Sequence, residues 1–434
     1  MAGIRIMTKI AVTTKYSSYN FGAMLQTFAL QKKIQDLGAD CVVVDADRQR
    51  KRNSFSWNSL GQIVSNCFYR LYRKELERGY DRFDRFMGAY PLSKRYDNYD
   101  QLLIDPPEAD IYLTGSDQIW NPLDIQENYF LRYAPDGKVR ASYAASMGIS
   151  YMPKGARRIF GEYLFDIDYV SVREKSAKEI IENLYGIRGR VDVDPTLLMD
   201  QDEWAIEAVK PEYHKNYILC YILYRPAWLN GWLKQLRRKT GKEIVVVTSD
   251  PYRNIFHTKM VRDAGPRELL GWIQNADFVI SSSFHGVTLS IANNKPFYAV
   301  VNPDSPARIS DLLLDLHLKD RIIDADHARI LEPIDYVKTN EILSVKREYA
   351  FDYLKFLIGN PDKTHHAAQQ KRSPAKNIMI VGRKCTGCTV CASVCPASAI
   401  QMGRTEEGFL YPNIDEEKCT ACGRCLKYCH TIAL

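Results

Sequence analysis

The sequence predicts an α/β protein of two halves built on parallel sheets, followed by a small α+β module rich in cysteine. Three observations predict it. Short apolar strands alternate with helical segments through about the first 330 residues, the pattern of α/β units. The alternation comes in two series, the second starting at Tyr217. Eight of the eleven cysteines lie between Cys385 and Cys429.

KIAVT (Lys9–Thr13) reads as the first strand, followed by a loop and a helix over residues 23–37. CVVVD, DIYLTG, RASYAAS and DYVSVRE follow as strands, rich in β-branched and aromatic residues, and the last feeds a helix over Lys175–Tyr185. The second series runs YILCYIL, a helix over residues 228–239, EIVVVTS, the helix PRELLGWIQNA, DFVISSS, a helix over residues 285–294 and PFYAVV. Pro266 sits near a helix start, where its missing N–H is harmless. Two such series imply two Rossmann-like halves, residues 1–205 and 206–359, facing a cleft, with ligands beyond the carboxyl ends of the strands. Residues 347–358 read as a closing helix. The polar stretch NPDKTHHAAQQKRSPAKN, residues 360–377, is a linker by composition, and its His365 and His366 read as solvated. The cysteine module fills residues 378–434.

At 434 residues the chain exceeds one ordinary core. MAGIRIMTKIAVTT reads as a first strand rather than a secretion signal, and no apolar run reaches the length of a membrane span. Cys41, Cys67 and Cys220 stand in apolar surroundings and read as buried, inert thiols. From Arg48 to Arg95 the chain is locally basic (RQRKR, YRLYRKELERGYDRF, SKRY), with apolar residues at Leu60, Ile63, Val64, Cys67, Phe68, Leu71 and Tyr72. That helical spacing predicts a solvated helical insertion. The alternative is a peripheral membrane contact for a phosphorylated or lipid-linked substrate.

The cysteine runs CTGCTVCASVCP and CTACGRCLKYCH share the spacing C-x2-C-x2-C-x3-C. Zinc ribbons pair two CxxC knuckles and rarely carry a third cysteine at this step. The pattern resembles two-cluster bacterial ferredoxins. That resemblance implies two 4Fe-4S clusters, each taking three thiolates from one run and a fourth from the other: Cys385, Cys388 and Cys391 with Cys429, and Cys419, Cys422 and Cys425 with Cys395. Pro396 follows Cys395 as in those proteins, whereas His430 follows Cys429. Thiolates kept free for iron imply a reducing compartment, so a cytoplasmic protein is expected. The formal charge of +7 is offset by about −2 per four-thiolate cluster, which leaves no argument for a nucleic-acid partner.

Two motifs follow strands of the first half. In NFGAMLQTFALQ, residues 20–31, Gly22 lets backbone amides at a helix start approach an anion. TGSDQIWN, residues 114–121, groups Ser116, Asp117 and Gln118 at a strand's carboxyl end, with Asp117 as a helix N-cap the structural alternative. Together with SYAASMG, VSVREKSAKEI, VDVDPTLL and SSSFHGVTLSIANNKP, they occur in the order found in the polysaccharide pyruvyl transferase family, which residues 9–319 resemble. The resemblance implies a glycosyltransferase-B type body that moves a pyruvyl group from phosphoenolpyruvate onto sugar hydroxyls as a ketal, here on a glycan or lipid-linked sugar acceptor.

It further implies His285 as the acid/base and Arg173 as the clamp for the donor's phosphate or carboxylate, with an ion pair to Glu174 as the structural alternative for Arg173. Asn20, Gly22, Ser116 and Asp117 would line the cleft, and Ser283 would bind substrate with them. The family's arginine two residues before the histidine is Ser283 here, and its leucine is Phe284, so one guanidinium is missing from the substrate side. Arg308 is the candidate replacement. Asp194 and Pro195 are expected to shape the crossover between halves. Pyruvyl transfer is redox-neutral, so two other readings stay open: an iron–sulfur oxidoreductase component fed by a flavoprotein or ferredoxin partner, and a non-catalytic electron-transfer or docking protein.

Overall fold

The computed structural model describes residues 7–46, 60–248, 258–303, 306–326, 333–361, 385–405, 407–415, 418–419 and 424–429, the side chains of residues 60–69, 307, 426 and 427 apart. The first half holds a five-stranded parallel sheet of β1 (Lys9–Thr13), β2 (Asp40–Asp45), β3 (Leu92–Arg95), β4 (Ile111–Thr114) and β5 (Val139–Ser142), in the order β3-β2-β1-β4-β5. Helix α1 (Phe21–Asp36) leaves β1 and starts earlier than residue 23, because Asn20 caps it: its side-chain oxygen accepts from the Gly22 and Ala23 amides at 2.9 and 3.2 Å.

Helix α2 (Leu60–Met87) is the predicted insertion. Its later turns bury Leu76, Tyr80, Phe83 and Phe86, and Arg78 and Arg82 cross to Asp263 of the second half. Arg73 pairs with Glu77, and Arg82 also meets Glu268. Arg78 and Arg82 are therefore tied to the second half, while Arg70, Arg73, Lys74 and Arg85 stay exposed. The side chains of Leu60, Ile63, Val64, Cys67 and Phe68, and residues 48–59, lie outside the described residues.

Helices α3 (Tyr99–Ile104) and α4 (Arg157–Leu164), the short pair β6 (Ser171–Val172) and β7 (Arg190–Val191), α5 (Lys175–Tyr185) between them, and α6 (Gln201–Glu207) complete this part. RASYAAS and DYVSVRE form shorter strands than expected. Isolated bridges still pair the two segments, Ala141 with Tyr169 and Ala145 with Val172, and hydroxyls add to them: the Ser142 hydroxyl donates to the Ser171 carbonyl at 2.9 Å and accepts from the Ser171 amide at 2.8 Å.

The second half is a six-stranded parallel sheet of β8 (Tyr217–Tyr221), β9 (Glu243–Val247), β10 (Lys259–Val261), β11 (Phe278–Ser281), β12 (Phe297–Val300) and β13 (Ile322–Ile323), in the order β10-β9-β8-β11-β12-β13. Helices α7 (Leu229–Thr240), α8 (Pro266–Asn275), α9 (Phe284–Ala292) and α10 (Ala307–Asp315) connect its strands. Helix α11 (Tyr336–Gly359) is longer than the predicted closing helix, and its end packs on the first sheet. Tyr353 Oη donates to the Ser142 carbonyl, and Thr8 Oγ1 to the Ile358 carbonyl, both at 2.9 Å. One buried apolar cluster runs through both halves, joining Val12, Phe21 and Leu113 to Leu219, Val279 and Val287.

The module contributes α12 (Val390–Ser393), the antiparallel hairpin β14 (Ile400–Arg404) and β15 (Leu410–Ile414), and α13 (Arg424–Lys427). Ile400 is its buried centre, packed by Cys391, Cys395, Cys425, Ile414 and Phe165 of the body. His365, His366 and nearly all of the expected linker lie outside the described residues. No described helix is long and apolar enough to cross a membrane.

Candidate active site

Asp194 organises the site. VDVDP places Asp192 and Asp194 two residues apart in extended chain, so both carboxylates share one side. Asp192 is taken by Arg190, at 2.6 and 2.7 Å, and by the Ser171 hydroxyl at 2.6 Å. Asp194 caps the short turn Pro195–Leu197: its Oδ1 accepts from the Thr196 amide and hydroxyl at 3.0 and 2.7 Å. Its Oδ2 accepts from Arg173 Nη1 at 2.6 Å, lies 3.5 Å from His285 Nε2, and receives a longer contact from the Ser116 hydroxyl at 3.4 Å. Three predicted site residues thus converge on a carboxylate expected only to shape the crossover between halves. Burial pushes the Asp194 carboxyl up, but His285 and Arg173, with the Thr196 hydrogen bond, outweigh it and hold the carboxyl well below the usual carboxylate range.

Arg173 follows β6 with its side chain 3% exposed. The ion pair with Glu174 exists, at 3.3 Å, alongside the stronger one to Asp194. The guanidinium lies over the Phe284 ring, 4.1 Å from its centroid, and Nη2 is buried without a hydrogen-bond partner. His285 is the second residue of α9, buried at the carboxyl end of β11. Gly22 packs on its ring so closely that a Cβ there would stand 2.1 Å from Nδ1. Gly22→Ala is therefore expected to force α1 and α9 apart and cost about 1–3 kcal/mol, read as a lowered unfolding midpoint.

The other expected residues divide. Ser116 is buried, its hydroxyl donating to the Ala144 carbonyl at 2.7 Å and its amide to Gln26 Oε1 at 3.2 Å. Asp117 starts no helix. It adopts φ 65° and its carboxylate accepts from the Gln118 amide at 2.8 Å. Burial raises the Asp117 carboxyl, yet His285, Arg173 and Lys15 bring it below its ordinary value, which places it in the same field. Arg308, at the start of α10, has a buried Nε with no hydrogen-bond partner. Burial, and then the charge of Arg173, lower its pKa, so a second guanidinium does stand beside the first.

Asn20 and Ser283 both cap helices, Asn20 on α1 and Ser283 on α9, where the Gly286 amide donates to its hydroxyl at 3.4 Å. A short polar residue ahead of a helix satisfies amides that have no partner in the first turn, which is a structural role beside the expected one. A cavity of about 290 Å³ opens beside this group, lined among others by Arg173, Asp194, Phe284, Arg308 and Asp311.

The profile of the polysaccharide pyruvyl transferase family matches residues 20–305. The chain belongs to that family. It is a transferase whose six motifs meet around Asp194, and His285, Arg173 and Ser116 are brought together by tertiary contacts across the two halves of the pyruvyl transferase-type body. A 4Fe-4S dicluster domain profile matches residues 384–433.

A stretch of 45 residues is 47% identical to a subunit of the Na(+)-translocating ferredoxin:NAD(+) oxidoreductase complex of Acetobacterium woodii, covering 10% of this chain and 12% of that one. A stretch of 62 residues is 45% identical to a subunit of the ion-translocating oxidoreductase complex of Methanosarcina acetivorans, covering 14% and 21%. The chain thus spans only about a fifth or less of these relatives' length. Among solved structures, UDP-GlcNAc 2-epimerase from Methanocaldococcus jannaschii is 11% identical with 79% and 93% coverage and a TM-score of 0.39. An S. aureus MnaA–UDP co-structure is 12% identical with 83% and 97% coverage and a TM-score of 0.45. Likeness at that level assigns no activity.

The cysteines of the module fit an iron–sulfur role. Burial pushes the Cys391 thiol up, and the neighbouring Cys385, Cys388 and Cys429 act in the same direction, so Cys429 lies within electrostatic reach of the first run. Cys391, Cys395 and Cys425 all pack against Ile400, while Cys422 lies outside the described residues. The Gly387 amide donates to Cys385 Sγ at 3.4 Å and the Ala399 amide to Cys395 Sγ at 3.3 Å, contacts that tune such clusters. Among the described residues no His, Cys, Asp or Glu group has the spacing to hold a single metal ion. In the body, Cys41 and Cys220 are wholly buried, and burial raises both thiols, Cys220 to about 12.

Proposed function

We propose that this chain moves a pyruvyl group from phosphoenolpyruvate to hydroxyls of a glycan precursor, with His285 handling the proton and Arg173 and Arg308 holding the donor. The observation that supports this reading is a set of three buried nitrogens without hydrogen-bond partners, Arg173 Nη2, Arg308 Nε and His285 Nε2, gathered around Asp194. A buried polar group left unsatisfied costs about 1–3 kcal/mol. Two guanidiniums in that condition suit a ligand with several anionic oxygens, and phosphoenolpyruvate carries a carboxylate and a phosphate.

The chemistry balances without electron exchange. The methylene carbon takes a proton, the central carbon bonds to an acceptor oxygen, and its bond to the phosphate oxygen breaks. A second hydroxyl then closes the ketal. Of the two hydroxyl protons released, one balances the proton taken up by the new methyl group and the other departs on phosphate. Imidazole is the side chain suited to giving such a proton near neutral pH, and Asp194 orients the ring. The Ser116 hydroxyl and the Asp117 carboxylate complete the polar wall.

The test is phosphate release from phosphoenolpyruvate by anaerobically purified protein, offered a panel of methyl hexopyranosides with neighbouring free hydroxyls. No release above the no-protein rate with any of them would sink the reading. We further propose that Cys385, Cys388, Cys391 and Cys429 hold one 4Fe-4S cluster and Cys395, Cys419, Cys422 and Cys425 the other. When bound, the clusters supply one-electron transfer, which ketal formation does not use. Cys429→Ala is expected to lower iron per chain by about half, measured by iron analysis and visible absorbance. An unchanged iron content would remove Cys429 from the ligand set.

A further inference from the structure

The cavity beside Arg173 contains a carboxylate that the donor site leaves unexplained. Arg308, Asp311 and Asp315 lie on one side of α10, at spacings of three and four residues, and all three line the cavity. Their states differ. Asp315 is held by Lys346 at 3.0 Å and by Lys175. Across the cavity, Asp192 is held by Arg190 and Asp194 by Arg173. Asp311 alone among the lining carboxylates has no hydrogen bond or ion pair with any described residue.

We propose that this cavity holds the acceptor as a single sugar ring and that Asp311 accepts a hydrogen bond from one of its hydroxyls. The proposal rests on the pyruvyl-transfer reading. The cavity's volume, about 290 Å³, sits at the small end of ligand pockets, which fits one ring better than an oligosaccharide. An unpaired carboxylate repels a phosphate or carboxylate but accepts from a neutral hydroxyl, so Asp311 belongs to the acceptor and not to phosphoenolpyruvate. Arg173 and Arg308, the nitrogens assigned to the donor, form part of the same wall, which keeps the two substrates adjacent.

The surroundings of Asp311 add a pH signature. Burial raises its pKa, Glu174, Asp315 and Glu179 raise it further, and Lys175 opposes them. Arg173, Arg308 and Lys346 are the other cations around the cavity. A carboxyl whose pKa is raised gains its proton at a higher pH than usual, so acceptor binding weakens as pH falls toward that range and is complete above it.

The experiment measures KM for methyl hexopyranoside and for phosphoenolpyruvate separately, in the holoprotein and in Asp311→Asn and Asp311→Ala. The expected result is an acceptor KM raised on the order of 10- to 100-fold, an unchanged phosphoenolpyruvate KM, an unchanged unfolding midpoint, and loss of the acidic rise in acceptor KM seen in the parent. Unchanged acceptor KM in both variants overturns the inference while the transfer reading stands. A rise in phosphoenolpyruvate KM in place of acceptor KM overturns it too, because Asp311 then acts on the donor. A parent protein that releases no phosphate overturns the transfer reading and this inference with it.

Discussion

Asp194→Asn is expected to destabilise the protein by about 3–5 kcal/mol, the usual result of removing one partner from a buried ion pair. The Asp194 side chain is wholly buried, and Arg173 beside it is 3% exposed. Removing the negative charge strands a guanidinium with Glu174 as its one remaining ion pair and Asp117 acting only through the field, and it leaves His285 without the carboxylate 3.5 Å away. The asparagine keeps the volume and part of the hydrogen bonding to Thr196, so the loss reports charge and not packing. Urea unfolding measures it as a lower midpoint at unchanged slope. A loss below about 1 kcal/mol would mean that the pair behaves as a solvated surface bridge.

The same carboxylate sets a pH dependence. Burial pushes Asp194 up, but His285, Arg173 and Thr196 hold its folded-state pKa well below the ordinary value. Its contribution is therefore fully present above the unfolded carboxyl's pKa of about 4 and is lost as pH falls through the lowered folded value. The stability gap between parent and Asp194→Asn should be constant at neutral pH and narrow below pH about 4.

His285→Ala is expected to lower phosphoenolpyruvate-dependent phosphate release by about 10²–10⁴-fold, the range of positioned proton transfer, while the chain stays folded. The separation is physical. His285 contributes no helix cap, and its Nε2 makes only the 3.5 Å contact with Asp194, whereas Ser283 caps α9 and Asp194 still pairs with Arg173 without the imidazole. Phosphoenolpyruvate should continue to raise the unfolding temperature of the variant, since Arg173 and Arg308 remain and ligand bound to the folded state stabilises it. Full activity in His285→Ala would move the proton-transfer role elsewhere. Loss of the thermal shift together with activity would make His285 a binding group instead.

Several elements were legible because local rules suffice for them. KIAVT and the helix over Lys175–Tyr185 match their predicted bounds, since a β-branched run and an apolar spacing ended by Gly186 at φ 64° each carry their own signal. At Asn20 and Ser283 the sequence is ambiguous for a related reason. A short polar residue before a helix looks the same whether it caps the helix or faces a ligand, and the bonds to the Gly22 and Gly286 amides show the capping role. RASYAAS reads as a strand throughout, yet β5 stops at Ser142: Ala144 takes φ 46°, and pairing beyond it is a single bridge from Ala145 to Val172 beside hydroxyl contacts from a segment 29 residues away.

The sequence by itself determined the α/β alternation in two series, the cysteine spacing that the dicluster profile later matched, and the candidacy of His285 and Arg173, because periodicity, ligand spacing and motif order are properties of neighbouring residues. Only the tertiary structure decided that Asp194 joins Arg173 to His285, that Arg308 stands beside them, that α11 returns to the first sheet, and that Asp311 alone of the cavity's carboxylates lacks a partner among the described residues. Those are statements about which charges meet after burial. A buried charge takes its meaning from its partner, and here the partners lie 21 residues away for Arg173 and Asp194 and in the other half of the body for His285.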